Sequence, residues 1–300
     1  MQQKKFIDMM SAAKGFYLVF LFFLAFNCLP AQSDGLLWRV SGKGLKNASY
    51  LFGTIHMHCQ DENIRKAEIQ SAMDSSSIVA MELNLNDYQT FVAMMKANMK
   101  LSGKSLKSML SIPEYHLVDS ICKVFTGTSL EDFDHKPPMT VLASIMMSKD
   151  FVGCNRPLPV DMVIADMAKQ GGKESYGLES FSFQDSLLGS IPDSTQIRWL
   201  IEFCGDIPQA KAEFQALLKA YDSQQALALY DIILKTSPEL ILLNDALLVQ
   251  RNMRWVEFLG NNMKYNVYFM AVGAGHLGGD NGLISLLRRA GYTVTPVQIH

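Results

Sequence analysis

Two short segments at opposite ends of the chain carry the same pattern. Tyr50 to His58 reads YLFGTIHMH, and Tyr268 to Gly278 reads YFMAVGAGHLG. In each, an apolar run of strand character enters a glycine-bearing turn and stops on a histidine: Gly53-Thr54-Ile55-His56 and Gly273-Ala274-Gly275-His276. Continuous apolar runs of this length between turn signals suit fully buried strands. A fold that places the two side by side sets two histidines at one edge of its sheet. Open α/β sheets bind ligands outside the carboxyl ends of their strands.

The remaining periodicity supports that architecture. Leu36 to Ser41 and Ser49 to Thr54 flank a polar, glycine-containing turn and predict an antiparallel hairpin. Ile78 to Leu85 predicts a buried strand interrupted by Glu82, Glu174 to Leu178 a short strand ending at Glu179, and Tyr265 to Val272 and Tyr292 to Ile299 two more. Helical spacing covers Asp61 to Asp74, Asp87 to Lys149, Val160 to Gln170, Asp193 to Tyr221, Asp222 to Lys235, Pro238 to Gly260 and Asn281 to Ala290. The expectation is one α/β domain over 34–300. Both ends of the chain form its central mixed sheet, with helical insertions at about 87–149 and 193–247.

The first 31 residues read differently. Lys4, Lys5 and Lys14 precede the apolar run Gly15 to Phe26, and Ala31-Gln32-Ser33 supplies small residues behind it. A charged start, a short apolar core and a small-residue exit predict a secretory signal. The run is about 12 residues, short of the roughly 20 that span a bilayer. Cys28 is an alternative lipid-attachment site, although Phe26 and Asn27 before it fit that poorly. The expected location is therefore periplasmic or secreted. Removing this segment takes three lysines and Asp8 from 27 basic and 29 acidic residues, which changes the formal charge from −2 to −4. That balance leaves no basic footprint for nucleic acid. Export also implies an oxidising compartment, but the spacing of Cys59, Cys122, Cys154 and Cys204 contains no CxxC and does not reveal any pairing.

Several polar residues fall at predicted strand ends. His56 and His276 are imidazoles beside glycine turns, where a structural hydrogen bond competes with a functional role. Glu82 lies in an apolar run; buried, it needs a cation, a metal or a proton, unless alternation turns it to solvent. Asp161 is a ligand candidate or a helix cap, and Glu179 a similarly placed carboxylate. Arg251 and Asn252 precede Arg254 and Trp255 on a helix, as part of a site or of a solvated basic face. Histidines with a carboxylate suit zinc, iron, cobalt or manganese, and a site of His56, Glu82 and His276 leaves positions open for water. His58, two residues beyond His56 in an extended chain, would face the same way and offer a third imidazole. Cys59 is a further candidate donor.

The elements LFGTIH, MELN, YGLES with Gln184, Arg251-Asn252 and the final VGAGHLGGDNGL…GYTV resemble the TraB/GumN family, which includes the Tiki-type metalloproteases. The resemblance runs from about Leu37 to Val297. It implies an α/β fold akin to the erythromycin-esterase and ChaN-like group. It also implies a shared site of His56, Glu82 and His276 with Arg251 and Asn252 nearby and, in the Tiki branch, metal-dependent peptide cleavage. The leading expectation is an exported hydrolase using a divalent metal (Mn, Co or Zn). In it His56, Glu82 and His276 are ligands, Glu82 is ligand or general base, and Arg251 or Asn252 stabilises the oxyanion. Two alternatives share the pocket: a binding protein that sequesters a peptide or small molecule without turnover, and a metal-free, esterase-like hydrolase.

Overall fold

A computed structural model describes residues 34–59, 64–99, 104–236 and 245–300, and the predicted signal segment and Cys28 lie outside them. Gly35–His300 forms one compact unit. Six strands make a single mixed sheet: β1 (Leu37–Ser41), β2 (Ser49–Thr54), β3 (Ile78–Met81), β4 (Glu174–Gly177), β5 (Tyr268–Gly273) and β6 (Thr293–Val297). Their order is β4-β3-β5-β2-β1-β6. The fold is α/β, with its sheet assembled from both ends of the chain.

The four strands β4, β3, β5 and β2 run parallel, and β1 is antiparallel to both β2 and β6. Burial explains which sit in the middle. Every residue of β3 is buried, as are the first five of β5 and the last four of β2, the pattern of parallel strands covered on both faces. The edge strand β4 alternates between exposed and half-buried, and the other edge, β6, carries Pro296 opposite Trp38, a residue that sheets confine to such edge strands.

The helices, in chain order, are α1 (Ala67–Asp74), α2 (Tyr88–Met99), α3 (Leu106–Met109), α4 (Ile112–Thr126), α5 (Pro138–Met146), α6 (Lys149–Val152), α7 (Val160–Gln170), α8 (Phe181–Gly189), α9 (Asp193–Gly205), α10 (Ile207–Asp222), α11 (Ala226–Thr236), α12 (Gln250–Asn262) and α13 (Leu283–Arg289). The helix α8 was not expected, and of the boundaries that depart from the sequence reading two bear on the site and its support. The run from Asp193 to Tyr221 is two helices, because Asp206 adopts φ −142° and caps α10, whose first turn holds Pro208. The strand expected over Ile78 to Leu85 ends at Met81, so Glu82 lies beyond the strand rather than within it.

Two apolar cores result. One surrounds the sheet; it includes Trp38, Phe52, Val79, Ile164, Trp255, Phe269 and Leu287. The second is helical and joins Leu106, Val118, Cys122, Val141, Ile145 and Phe151 to Ile197, Leu200, Cys204 and Phe214. Parts of the two expected insertions, 106–145 and 197–218, therefore pack on each other as one helical lobe, while Ala220, Tyr221, Ala226 and Leu229 of the second belong to the sheet core. Met57, next to His56, is buried in that lobe's core. Among the described residues no helix is long and apolar enough to cross a membrane.

Candidate functional site

The parallel strands fix where the site residues emerge. Thr54 of β2 pairs with Gly273 of β5, and Ala271 of β5 with Met81 of β3. His56, His276 and Glu82 therefore leave three neighbouring strands at the same sheet edge. The two glycine-histidine turns touch: a Cβ on Gly53 would stand 2.9 Å from Leu277 Cδ1 and 3.0 Å from Ala274 Cβ, so only glycine allows this approach. Backbone bonds continue the β3–β4 pairing past both strands. Leu178 N–H donates to Met81 O (2.8 Å) and Glu179 N–H to Glu82 O (3.0 Å), which sets the two carboxylates side by side.

Arg251 enters this edge from α12, just after a π-helical turn at Asp245–Val249. Its guanidinium reaches three strand ends. Nη2 donates to Glu82 Oε2, Nε donates to both Glu179 oxygens at 2.9 and 3.1 Å, and Nη1 donates to Leu247 O at 3.0 Å and His276 Nε2 at 3.2 Å. Glu82 Oε1 accepts from the Gly273 amide at 2.8 Å, and Gln184 Nε2 donates to Glu82 Oε2 at 3.2 Å and Glu179 Oε2 at 3.3 Å. Arg254 adds a second cation on Glu179 at 3.3 Å. The side chains of Arg251, Glu82, Glu179 and His276 are 9, 15, 4 and 5% exposed. Such buried charges persist only when paired and hydrogen-bonded.

The bonding pattern assigns the His276 tautomer. Arginine only donates, so Nε2 must accept from it, and Nδ1 carries the proton given to Asn252 Oδ1 at 2.7 Å. Asn252 Nδ2 donates to the carbonyls of His276 (3.3 Å) and Asn281 (2.9 Å), and the Trp255 ring packs on the imidazole with centroids 4.6 Å apart. Asn252 is thus fully engaged in holding His276. Burial is the main cause that lowers His276 to about 4; Glu82 opposes it, while Arg251 and His56 reinforce it. Burial by itself would raise Glu82, but His276, the Arg251 guanidinium, His56 and the Gly273 amide pull the other way, to about 2. With His276 neutral, Arg251 is the permanent cation that keeps Glu82 ionised.

His56 differs from its sequence twin. Its side chain is 85% exposed, and its Nδ1 lies 3.3 Å from Asp161 Oδ2, while Thr54 Oγ1 donates to Asp161 Oδ1 at 2.7 Å. The bond to Asp161 chiefly raises His56 to about 9, against some desolvation; Asp161 and Glu82 charges add to the rise and Arg251 offsets part of it. At a ring so exposed, solvent screening keeps the pair's contribution to stability within about 1 kcal/mol. The chain after Thr54 is held firmly: Met57 enters the helical core, His58 bridges to Leu158, and Cys59 forms a disulfide with Cys154.

These placements revise the sequence reading. His58 does not join His56, because the backbone beyond Thr54 is not extended strand. Its ring is buried, 2.8 Å from Asp222 and packed against Tyr221. Cys59 is a disulfide partner, and Cys122 and Cys204 are free and buried. Asp161 lies in the first turn of α7 and supports His56, while Pro159 is the cap. As arranged, His56, Glu82 and His276 do not fit a divalent ion. Among the described residues no group of three or more His, Cys, Asp or Glu is placed to hold one. Glu82 and His276 face each other at 3.8 Å, but Arg251 donates to both. Sequence reasoning missed Gln184 as a bridge between the carboxylates. The signal for it was its position one helical turn into α8, five residues after Glu179.

A family model described as the TraB/PrgY/gumN family matches residues 36–296. The chain belongs to this family. A curated relative, Metalloprotease TIKI1 of Danio rerio, is 23% identical over 327 residues, covering 89% of this chain. The chain spans 64% of the length of that relative. No solved structure matches. The span matched to the TraB/PrgY/gumN family covers the sheet except Val297, and every residue of the Arg251 cluster falls within it.

Proposed function

We propose that this chain is an exported hydrolase that cleaves peptide bonds at the carboxyl edge of its parallel strands. The observation that carries this reading is the divergence of its two turn histidines. One is exposed and raised by Asp161, the other buried and lowered, and they leave neighbouring strands beside an ionised glutamate. Environments that push titratable groups apart in this way assign an acid and a base. His56, protonated at neutral pH, is the acid that delivers a proton to the leaving nitrogen. Neutral His276, with Glu82 beside it, is the base that accepts a proton from the attacking water. His276 acts when bound substrate draws the Arg251 Nη1 donor from its Nε2, while Arg251 Nε stays on Glu179. Arg251 then faces the oxygen on which negative charge develops, a role in which fixed donors supply about 3–4 kcal/mol. Asn252 is a positioning residue.

The likeness to a metalloprotease of Danio rerio supports peptide substrates, and the disulfide between Cys59 and Cys154 supports an oxidising compartment. The proposed steps run through side chains, because Arg251 occupies the bonds that a metal shared by Glu82 and His276 would need. The test is incubation of the purified chain with a peptide library, read by mass spectrometry, with and without chelator. Cleavage that survives chelation and is lost in His56→Ala and Glu82→Gln is expected. Retention of peptides without any cleavage would instead identify a binding protein that uses the same edge.

A further inference from the structure

We infer that Arg251 is the resident cation of the Glu82–His276 pair and excludes a divalent ion from it. The inference rests on the bonding of the cluster and does not require turnover. A divalent ion shared by an imidazole and a carboxylate would sit about 2 Å from each donor atom. His276 Nε2 and Glu82 Oε1 are 3.8 Å apart, a separation that suits two ligands of one ion. Arg251 closes that approach. Its Nη1 donates to His276 Nε2 at 3.2 Å, and its Nη2 donates to Glu82 Oε2, which also accepts from Gln184. The remaining donor atoms are engaged as well: Gly273 N–H holds Glu82 Oε1 at 2.8 Å and Asn252 holds His276 Nδ1 at 2.7 Å. Charge leads to the same conclusion. Glu82 and Glu179 are balanced by Arg251 and Arg254, so a doubly charged ion would enter a neutralised, largely buried group next to a guanidinium. Arg251 is also secured from behind, by both Glu179 oxygens and the Leu247 carbonyl.

The test needs no substrate. The full chain is titrated with Co(II), followed by its visible absorption, and with Zn(II), followed by the nitrogen-15 shift of His276 Nε2. In the wild type neither ion should move the His276 signal, and any cobalt absorption should be unchanged in His276→Ala. In Arg251→Gln, cobalt should bind more tightly by about tenfold or more, and His276→Ala in that background should remove the gain, as loss of a ligand does. Wild-type cobalt binding that depends on His276 would overturn the inference, as would an Arg251→Gln protein that folds and gains no binding. Should Arg251→Gln fail to fold, the wild-type titration decides alone. A wild type that binds metal and cleaves peptides refutes this inference and leaves the hydrolase reading standing. An inert wild type whose Arg251→Gln variant gains cobalt does the reverse.

Discussion

The fate of each histidine depends on its immediate partners. His56 and His276 stop the same four-residue pattern, yet Asp161 raises one and burial lowers the other. If they serve as acid and base, activity requires His276 unprotonated and His56 protonated. The pH profile of kcat/KM should then be bell-shaped, falling below about 4 and above about 9, and Asp161→Asn should bring the alkaline limb in toward the ordinary imidazole value of 6.5. An alkaline limb that Asp161→Asn leaves in place would remove His56 from the role of acid. Stability follows the other sign. His276 is lowered from 6.5 to about 4 and Glu82 from 4.5 to about 2, so the unfolded chain binds protons first. Stability from His276 is whole above 6.5 and lost as pH falls toward 4, and that from Glu82 is lost between 4.5 and 2. Urea unfolding at pH 7 and pH 4 should show the loss, and His276→Gln should abolish the upper part of it. Sequence marked both histidines and Glu82 because apolar strands ending on polar groups stand out. It could not show their protonation, because that depends on Arg251 and Asp161, which lie 169 residues from Glu82 and 105 from His56.

At the scale of elements, the site depends on how tightly the two turns meet and how firmly the first is held. Gly53 is the contact point between them. Gly53→Ala places a methyl 2.9 Å from Leu277 Cδ1, which can turn aside, and 3.0 Å from Ala274 Cβ and 3.2 Å from Ala274 Cα, which the backbone of the second turn fixes. Overpacking of this kind costs about 1–3 kcal/mol, and chemical denaturation should register it. A change smaller than a few tenths would mean the turns have room to separate. The second restraint is the Cys59–Cys154 bridge, which joins the loop after β2 to the helical lobe across 95 residues. Closing a loop of that length stabilises by roughly 4–5 kcal/mol in the chain-entropy account, and natural bridges deliver 2–5. Cys59→Ser with Cys154→Ser should lower stability by about that much and broaden the His56 ring signals in NMR. Sharp, unshifted His56 signals would show that Met57 and the His58–Leu158 bridge suffice to hold the loop. The central strands β2, β3 and β5 were legible in the sequence as buried apolar runs. The pairing of Cys59 was not, since four cysteines without a recognisable spacing carry no information about which two approach.

Across the whole molecule, the sequence suggested two separate helical insertions, and the structure joins 106–145 of the first and 197–218 of the second in one lobe. Helical periodicity identifies which residues face a core but not whose core it is, so a lobe shared between segments some fifty residues apart does not show in a linear reading. The same lobe holds Met57, which ties its integrity to the position of His56. Leu200 of α9 is fully buried in this core with Val118 of α4 and Val141 and Ile145 of α5, and Gln196 links α9 to α5 by accepting from the Met139 amide at 3.2 Å. Leu200→Ala should therefore cost about 2–5 kcal/mol, as large-to-small changes in packed cores do. Its effect should spread along the lobe rather than along the sequence. Hydrogen exchange should show α4, α5 and α9 losing protection together, while β3 and β5, whose contacts lie in the other core, keep most of theirs. Loss confined to α9 would mean the two insertions fold independently and merely touch. Loss that extends into β5 would mean the molecule has a single cooperative core, with the lobe and the strand edge that carries His276 and Glu82 unable to move separately.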